Sequence, residues 1–73
     1  MKKIEIGTKI IVSLGKKFGN ARIIATYDGK HEEDSSVVKP LEVTCIKDSY
    51  KFIVNTILKT RLIISDNQIL SKY

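Results

Sequence analysis

The sequence predicts an all-β fold, a small barrel of five strands, and three observations carry that prediction. Ile and Val number 17 against five Leu and two Ala. β-Branched side chains lose rotamer freedom on a helix and fit a pleated surface. Gly-bearing or polar breaks at 15–20, 28–36 and 47–49 cut the chain into pieces of strand length. Seventy-three residues make a single domain, 1–73, which buries only ~60–65% of the surface its unfolded chain exposes. That is too little for a two-sheet sandwich of ordinary size. A bent sheet closing on itself buries one face and removes most free edges.

The first strand is expected over Ile4–Leu14, where Ile4, Ile6, Ile10, Val12 and Leu14 share one parity and Gly7 marks a bulge or bend. GKKFGN, residues 15–20, turns the chain into a second strand, Ala21–Tyr27. Tyr27-Asp28-Gly29-Lys30 reads as a turn that HEEDSS extends into a polar loop. Val37–Lys47 gives a third strand, with Pro40 confined to its beginning or to an edge. Residues 50–62 fit two patterns. Tyr50, Ile53, Val54, Ile57, Leu58 and Leu62 make a helical stripe, so an α+β fold with a helix there is the alternative. Read as strands, Tyr50, Phe52, Val54, Leu58, Leu62 and Ile64 alternate with polar residues. The β-branched residues Ile53, Val54, Thr56, Ile57 and Thr60 favour two strands broken near Asn55-Thr56. Asp66–Leu70 closes the chain as a short 3₁₀ turn. Strand parity places Ile6, Ile10, Val12, Ile24, Val43, Val54, Leu62 and Ile64 in the core.

Composition bounds the function. Cys45 is the single cysteine, which excludes an intramolecular disulfide and points to a reducing, cytoplasmic compartment. Glu5 and Lys9 interrupt any signal-peptide apolar region after the two N-terminal lysines, and no apolar run is long enough to span a membrane. The net charge of +5 is uneven: residues 1–30 hold a balance of +5, residues 31–49 one of −3 and the remainder +3. A basic first hairpin beside an acidic loop steers an anionic partner towards one face; an ordinary solvated surface is the plainer explanation.

The run IGTKIIVSLGKKFGNARIIATY resembles the KOW motif of small SH3-like barrels in ribosomal proteins and transcription-elongation factors. Gly7 corresponds to the opening glycine, and Ile10 and Val12 to the alternating apolar positions. Gly15 and Gly19 correspond to the paired glycines of the turn, Lys16 to its lysine, and Ile24 to the buried position. The hallmark glycine two residues before that position is Arg22 here. The resemblance implies a five-stranded SH3-like barrel with a nucleic-acid-binding or ribonucleoprotein role.

The chemistry of the turn agrees with that role. Lys16 and Lys17 can reach phosphate oxygens, Phe18 can stack on a base, and Arg22 can hold a phosphate in two hydrogen bonds. With Asn20 they make the candidate nucleic-acid site. Against this, Phe18 can fold back to cap the barrel, and the lysines can simply solvate a turn. Catalysis, metal and cofactors are not expected. His31-Glu32-Glu33-Asp34 is one histidine beside consecutive carboxylates in a loop, which defines no coordination shell. Cys45, in step with Val43, is expected to be buried and unreactive. Gly15-xxx-Gly19 lacks the lysine–hydroxyl pair and the helix of a nucleotide-binding loop. A second function class stays open: a protein-interaction module, such as an inhibitor or accessory subunit acting on a host enzyme. The Ile-, Lys- and Asn-rich composition suits a bacteriophage or mobile element, and the acidic loop suits that class. No oligomeric state is expected from the sequence.

Overall fold

The computed structural model describes residues 3–73; Lys2, part of the basic N-terminal balance, lies outside them. Five strands, β1 (Lys9–Ser13), β2 (Arg22–Glu32), β3 (Ser35–Cys45), β4 (Leu62–Ser65) and β5 (Ile69–Lys72), form one antiparallel sheet in the order β4-β3-β2-β1-β5. A 3₁₀ turn, Asp66–Gln68, joins the last two. The fold is the expected five-stranded, mostly β one, and this strand order is that of a small SH3-like fold.

Closure follows from connectivity. β4 and β5 are the two ends of the sheet, and opposite ends of a flat five-stranded sheet lie ~19 Å apart. Ser65 and Ile69 are separated by only the 3₁₀ turn, which spans at most ~14 Å. The sheet must therefore curl. The turn is held at both sides: the Gln68 side-chain amide donates to the Ser13 carbonyl at 2.8 Å, and the Asp66 N–H donates to the Asp34 carbonyl at 2.8 Å. A capping box, in which Gln68 Oε1 accepts the Ser65 N–H at 2.9 Å, fixes its start.

The concave face carries the core: Ile10 and Val12 of β1, Ile23, Ala25 and Tyr27 of β2, Val38 of β3 and Ile64 of β4, with Leu14 and Ala21 beside the first turn. Val54 completes it from α1 (Lys51–Ile57). Phe18, Val43, Tyr50, Leu58, Leu62 and Ile69 pack around its edges. Of the eight core residues expected from parity, Ile10, Val12, Val54 and Ile64 are buried in this cluster, and Val43 and Leu62 border it.

One core assignment is corrected and one falls on an unexpected face. Ile6 is 71% exposed, because Gly7 (φ +97) turns the chain at residues 5–8 instead of continuing a strand. The Gly7 N–H donates to the Tyr27 carbonyl at 2.8 Å, while the Thr8 N–H donates to the Glu5 carbonyl at 3.1 Å, so β1 begins at Lys9. Ile24 is buried as expected, at 4% exposure, but on the convex face beside Ile11 and outside the main cluster. Its neighbours Ile23 and Ala25 take the inward positions.

Further local expectations change as well. The turn expected at Tyr27–Lys30 is strand: Gly29 (φ +108) absorbs an extra residue as a bulge between the Tyr27–Val38 and Lys30–Ser36 pairs. Reversal waits for Glu33-Asp34, so most of HEEDSS is hairpin. Pro40 holds to the edge alternative: it sits mid-strand opposite Ala25, beyond Val38, where β4 no longer pairs with β3 and a missing N–H costs little. Residues 51–57 are helix, not strand. Tyr50, Val54 and Leu58 recur every four residues on the core side, and Thr56 Oγ1 donates to the Phe52 carbonyl at 2.9 Å, a bond that accommodates its β-branched side chain. The last two strands come later than expected, at 62–65 and 69–72, and the 3₁₀ turn spans Asp66–Gln68 with Ile69 and Leu70 already in β5.

Candidate nucleic-acid interface

Residues 15–20 form a turn locked by its own backbone. Gly15 adopts φ +88 and Gly19 φ +63, values that residues with a Cβ reach only under strain. The Gly15 carbonyl accepts the N–H groups of Phe18 at 3.1 Å and Asn20 at 2.8 Å. The N–H of Ala21 returns to the Phe18 carbonyl at 3.1 Å, and Leu14 donates to the Ala21 carbonyl at 2.8 Å. Between these bonds Lys16–Phe18 make one 3₁₀ turn. Asn20 takes φ +56, which a short polar side chain tolerates.

The side chains part in two directions. Lys16 and Lys17 are exposed, as is Asn20. Phe18 is half-buried and packs against the core, closing the end of the sheet. Arg22 opens β2 on the convex face, exposed, with Ser13 and Cys45 as its register partners. Its carbonyl accepts from Thr44 Oγ1 at 3.0 Å, which fixes the backbone under the guanidinium. Among the described residues, the ion pairs join Lys30 to Asp66, Lys51 to Asp48 and Arg61 to Asp28. Lys16, Lys17 and Arg22 belong to none of them.

Sequence reasoning missed two further cations of the convex face. Lys9, Thr26 and Lys39 stand side by side across β1, β2 and β3, and both lysines are exposed. The signal was strand register, which needs the irregularities between the hairpin tip and Tyr27 and cannot be counted along the chain. Tyr50 was also missed as a neighbour of the turn. A Cβ on Gly19 would stand 2.7 Å from Tyr50 Cε2, so the ring lies flush against the turn. The segment entering α1 therefore abuts the lysines' own loop.

Cys45 corrects another expectation, since it is exposed. An extra residue in β3, Thr44, lies between the Arg22–Cys45 and Ile23–Val43 pairs and reverses the parity. Cys45 lines a shallow cleft with Val43, Ile46, Lys51 and Asn55 between β3 and α1.

At the opposite end of β2, His31, Glu32, Glu33 and Asp34 form the exposed hairpin tip, with His31 Nδ1 3.4 Å from Ser35 Oγ. Among the described residues, no three His, Cys, Asp or Glu are placed to hold a metal ion. Below the tip lies a polar knot that the sequence concealed. Buried Ser36 donates to Asp66 Oδ1 at 2.5 Å, the Tyr27 hydroxyl stands 3.5 Å from Ser36 Oγ, and Lys30 pairs with Asp66 while donating to the Glu33 carbonyl at 2.8 Å. The hydrogen bond from Lys30, then that from Ser36, holds the Asp66 carboxyl below its ordinary pKa against the opposing effect of burial. This knot ties the β4–β5 turn to the long hairpin.

No family model, curated protein or solved structure matches the chain. Among the described residues, no helix is long and apolar enough to cross a membrane.

Proposed function

We propose that the protein is a non-enzymatic, cytoplasmic binding module that contacts the nucleic-acid backbone through its first hairpin. One observation carries this reading: among the described residues, Lys16, Lys17 and Arg22 are exposed cations without carboxylate partners on a backbone that is already fixed. Unneutralised cations release counterions from phosphates on contact, the main source of backbone affinity. A locked turn loses little further entropy on binding. The KOW resemblance supports the same role, with Gly15 and Gly19 both at positive φ in the turn.

The test is fluorescence anisotropy with labelled RNA and DNA at three salt concentrations. Lys16→Ala with Lys17→Ala should weaken binding alike across sequences and flatten the logarithmic salt slope by roughly 1.4–1.8 if each lysine neutralises one phosphate. Wild-type binding no tighter than ~100 μM at low salt, the level of weak non-specific contact, sinks the reading. The alternative is a protein-interaction module, such as a phage inhibitor or accessory subunit. What favours it is apolar exposure away from the lysines, at Ile63 on the edge strand β4 and Leu70 on β5.

A further inference from the structure

The geometry points to Phe52 as the aromatic platform of this interface, and hence to a single strand as its ligand; the inference rests on the nucleic-acid reading and deepens it. Base stacking needs an aromatic face open to solvent beside cations that track the phosphates. Phe18 does not offer one, since its ring packs against the core. Phe52 is 83% exposed, the most exposed large hydrophobic residue among those described. It stands on the first turn of α1, two residues after Tyr50, whose ring lies against Gly19 of the lysine turn. Two residues along a helix are about 5 Å apart and about 200° round the axis. Phe52 therefore projects to solvent, away from the core side that Tyr50 and Val54 occupy, on the helix whose entering segment touches the lysine loop.

Its surroundings select the occupant. Lys47 precedes the helix, exposed and outside the ion pairs found among the described residues, and Lys16 and Lys17 lie across the Gly19–Tyr50 contact. The nearby carboxylate in this segment, Asp48, is neutralised by Lys51 at 2.8 Å. An exposed apolar ring on a segment that carries the unpaired Lys47 and abuts the lysine turn complements a polyanion with exposed flat bases. A duplex hides its base faces in the stack and presents only phosphates to the same lysines.

The experiment compares a labelled single-stranded oligouridylate with a labelled RNA duplex by anisotropy. Phe52→Ala should lower single-strand affinity roughly 5- to 100-fold, with duplex affinity, salt slope and thermal midpoint unchanged. Phe52→Tyr, which keeps the ring, should retain single-strand affinity. If Phe52→Ala binds the single strand as well as wild type while the Lys16/Lys17 double variant binds weakly, the Phe52 assignment is overturned and the lysine reading stands. Equal losses on both ligands, or a lowered midpoint, overturn it as well, since they mark a structural role. If wild type binds neither ligand tighter than ~100 μM at low salt, both readings fall, and Phe52 belongs to a protein-facing surface.

Discussion

Gly19 is where conformation and packing constrain the same residue. Its φ of +63 strains any side chain, and a Cβ there would sit 2.7 Å from Tyr50 Cε2. Left-handed backbone costs roughly 1–2 kcal/mol for a residue with a Cβ. Gly15 has no atom within 4 Å of its Cβ position, but its φ +88 and ψ 177 fall in a region essentially confined to glycine. Gly15→Ala and Gly19→Ala should therefore both lower the thermal midpoint, and only the Gly19→Ala loss should shrink in a Tyr50→Ala background; an unchanged Gly19→Ala loss there would remove Tyr50 from the account. Asp66 gives a second prediction, of opposite dependence on acid. Its folded pKa lies below the unfolded value, by virtue of Lys30 and then Ser36. The stability it contributes is thus complete above about pH 4 and lost as pH falls through the folded pKa. Asp66→Asn should melt lower than wild type at neutral pH, and the gap should close below about pH 4. A gap that does not narrow at all as the pH is lowered below about 4 would show that the carboxylate charge plays no part. Neither partnership is legible along the chain: Ser36 is 30 residues from Asp66, and Tyr50 lies beyond two strands from Gly19.

At the scale of elements, β1, the first hairpin and most of β3 are readable, because alternating apolar residues and a glycine-flanked turn act locally. α1 is not, since its β-branched composition points to strand while the burial pattern points to helix. Burial prevails: no strand pairs with residues 51–57, and Val54, fully buried, anchors the segment to the core. Helix propensities differ by only ~0.7 kcal/mol between ordinary residues, less than burying one aliphatic side chain is worth. Val54→Ala should consequently destabilise the fold by about 1–4 kcal/mol through lost transfer energy and the cavity left behind. Helical chemical shifts across Lys51–Ile57 check the element itself. Phe18→Ala tests the first turn in the same way. It should lower the midpoint and leave the salt slope of nucleic-acid binding unchanged, as fits a ring that seals the core. The glycine of the DGK stretch misleads for a related reason: positive φ serves a bulge as well as a turn, and pairing between β2 and β3 decides which.

Across the whole molecule, β2 sets the separation between its two charged ends. Arg22 opens this strand beside the lysine turn, and Glu32 closes it at the acidic tip with Glu33 and Asp34. Eleven residues of strand span up to about 33 Å at ~3.3 Å each, close to the 34 Å long axis of the molecule. Screening reduces interactions beyond ~8 Å at physiological ionic strength and reaches ~30 Å only near 0.01 M salt. The tip therefore neither neutralises the lysines nor repels phosphate from them at cellular salt, although sequence proximity suggests that it should. Replacing the tip carboxylates together (Glu32→Gln, Glu33→Gln, Asp34→Asn) should leave nucleic-acid affinity unchanged at about 0.15 M salt. Near 0.01 M the same variant should associate faster than wild type, because the two ends then feel each other's field. Association rates from stopped-flow anisotropy at the two salt concentrations measure this directly. A tip variant that binds more tightly at 0.15 M would mean that ligand reaches both ends of β2 at once, and the interface would then have to extend along the convex face through Lys9 and Lys39.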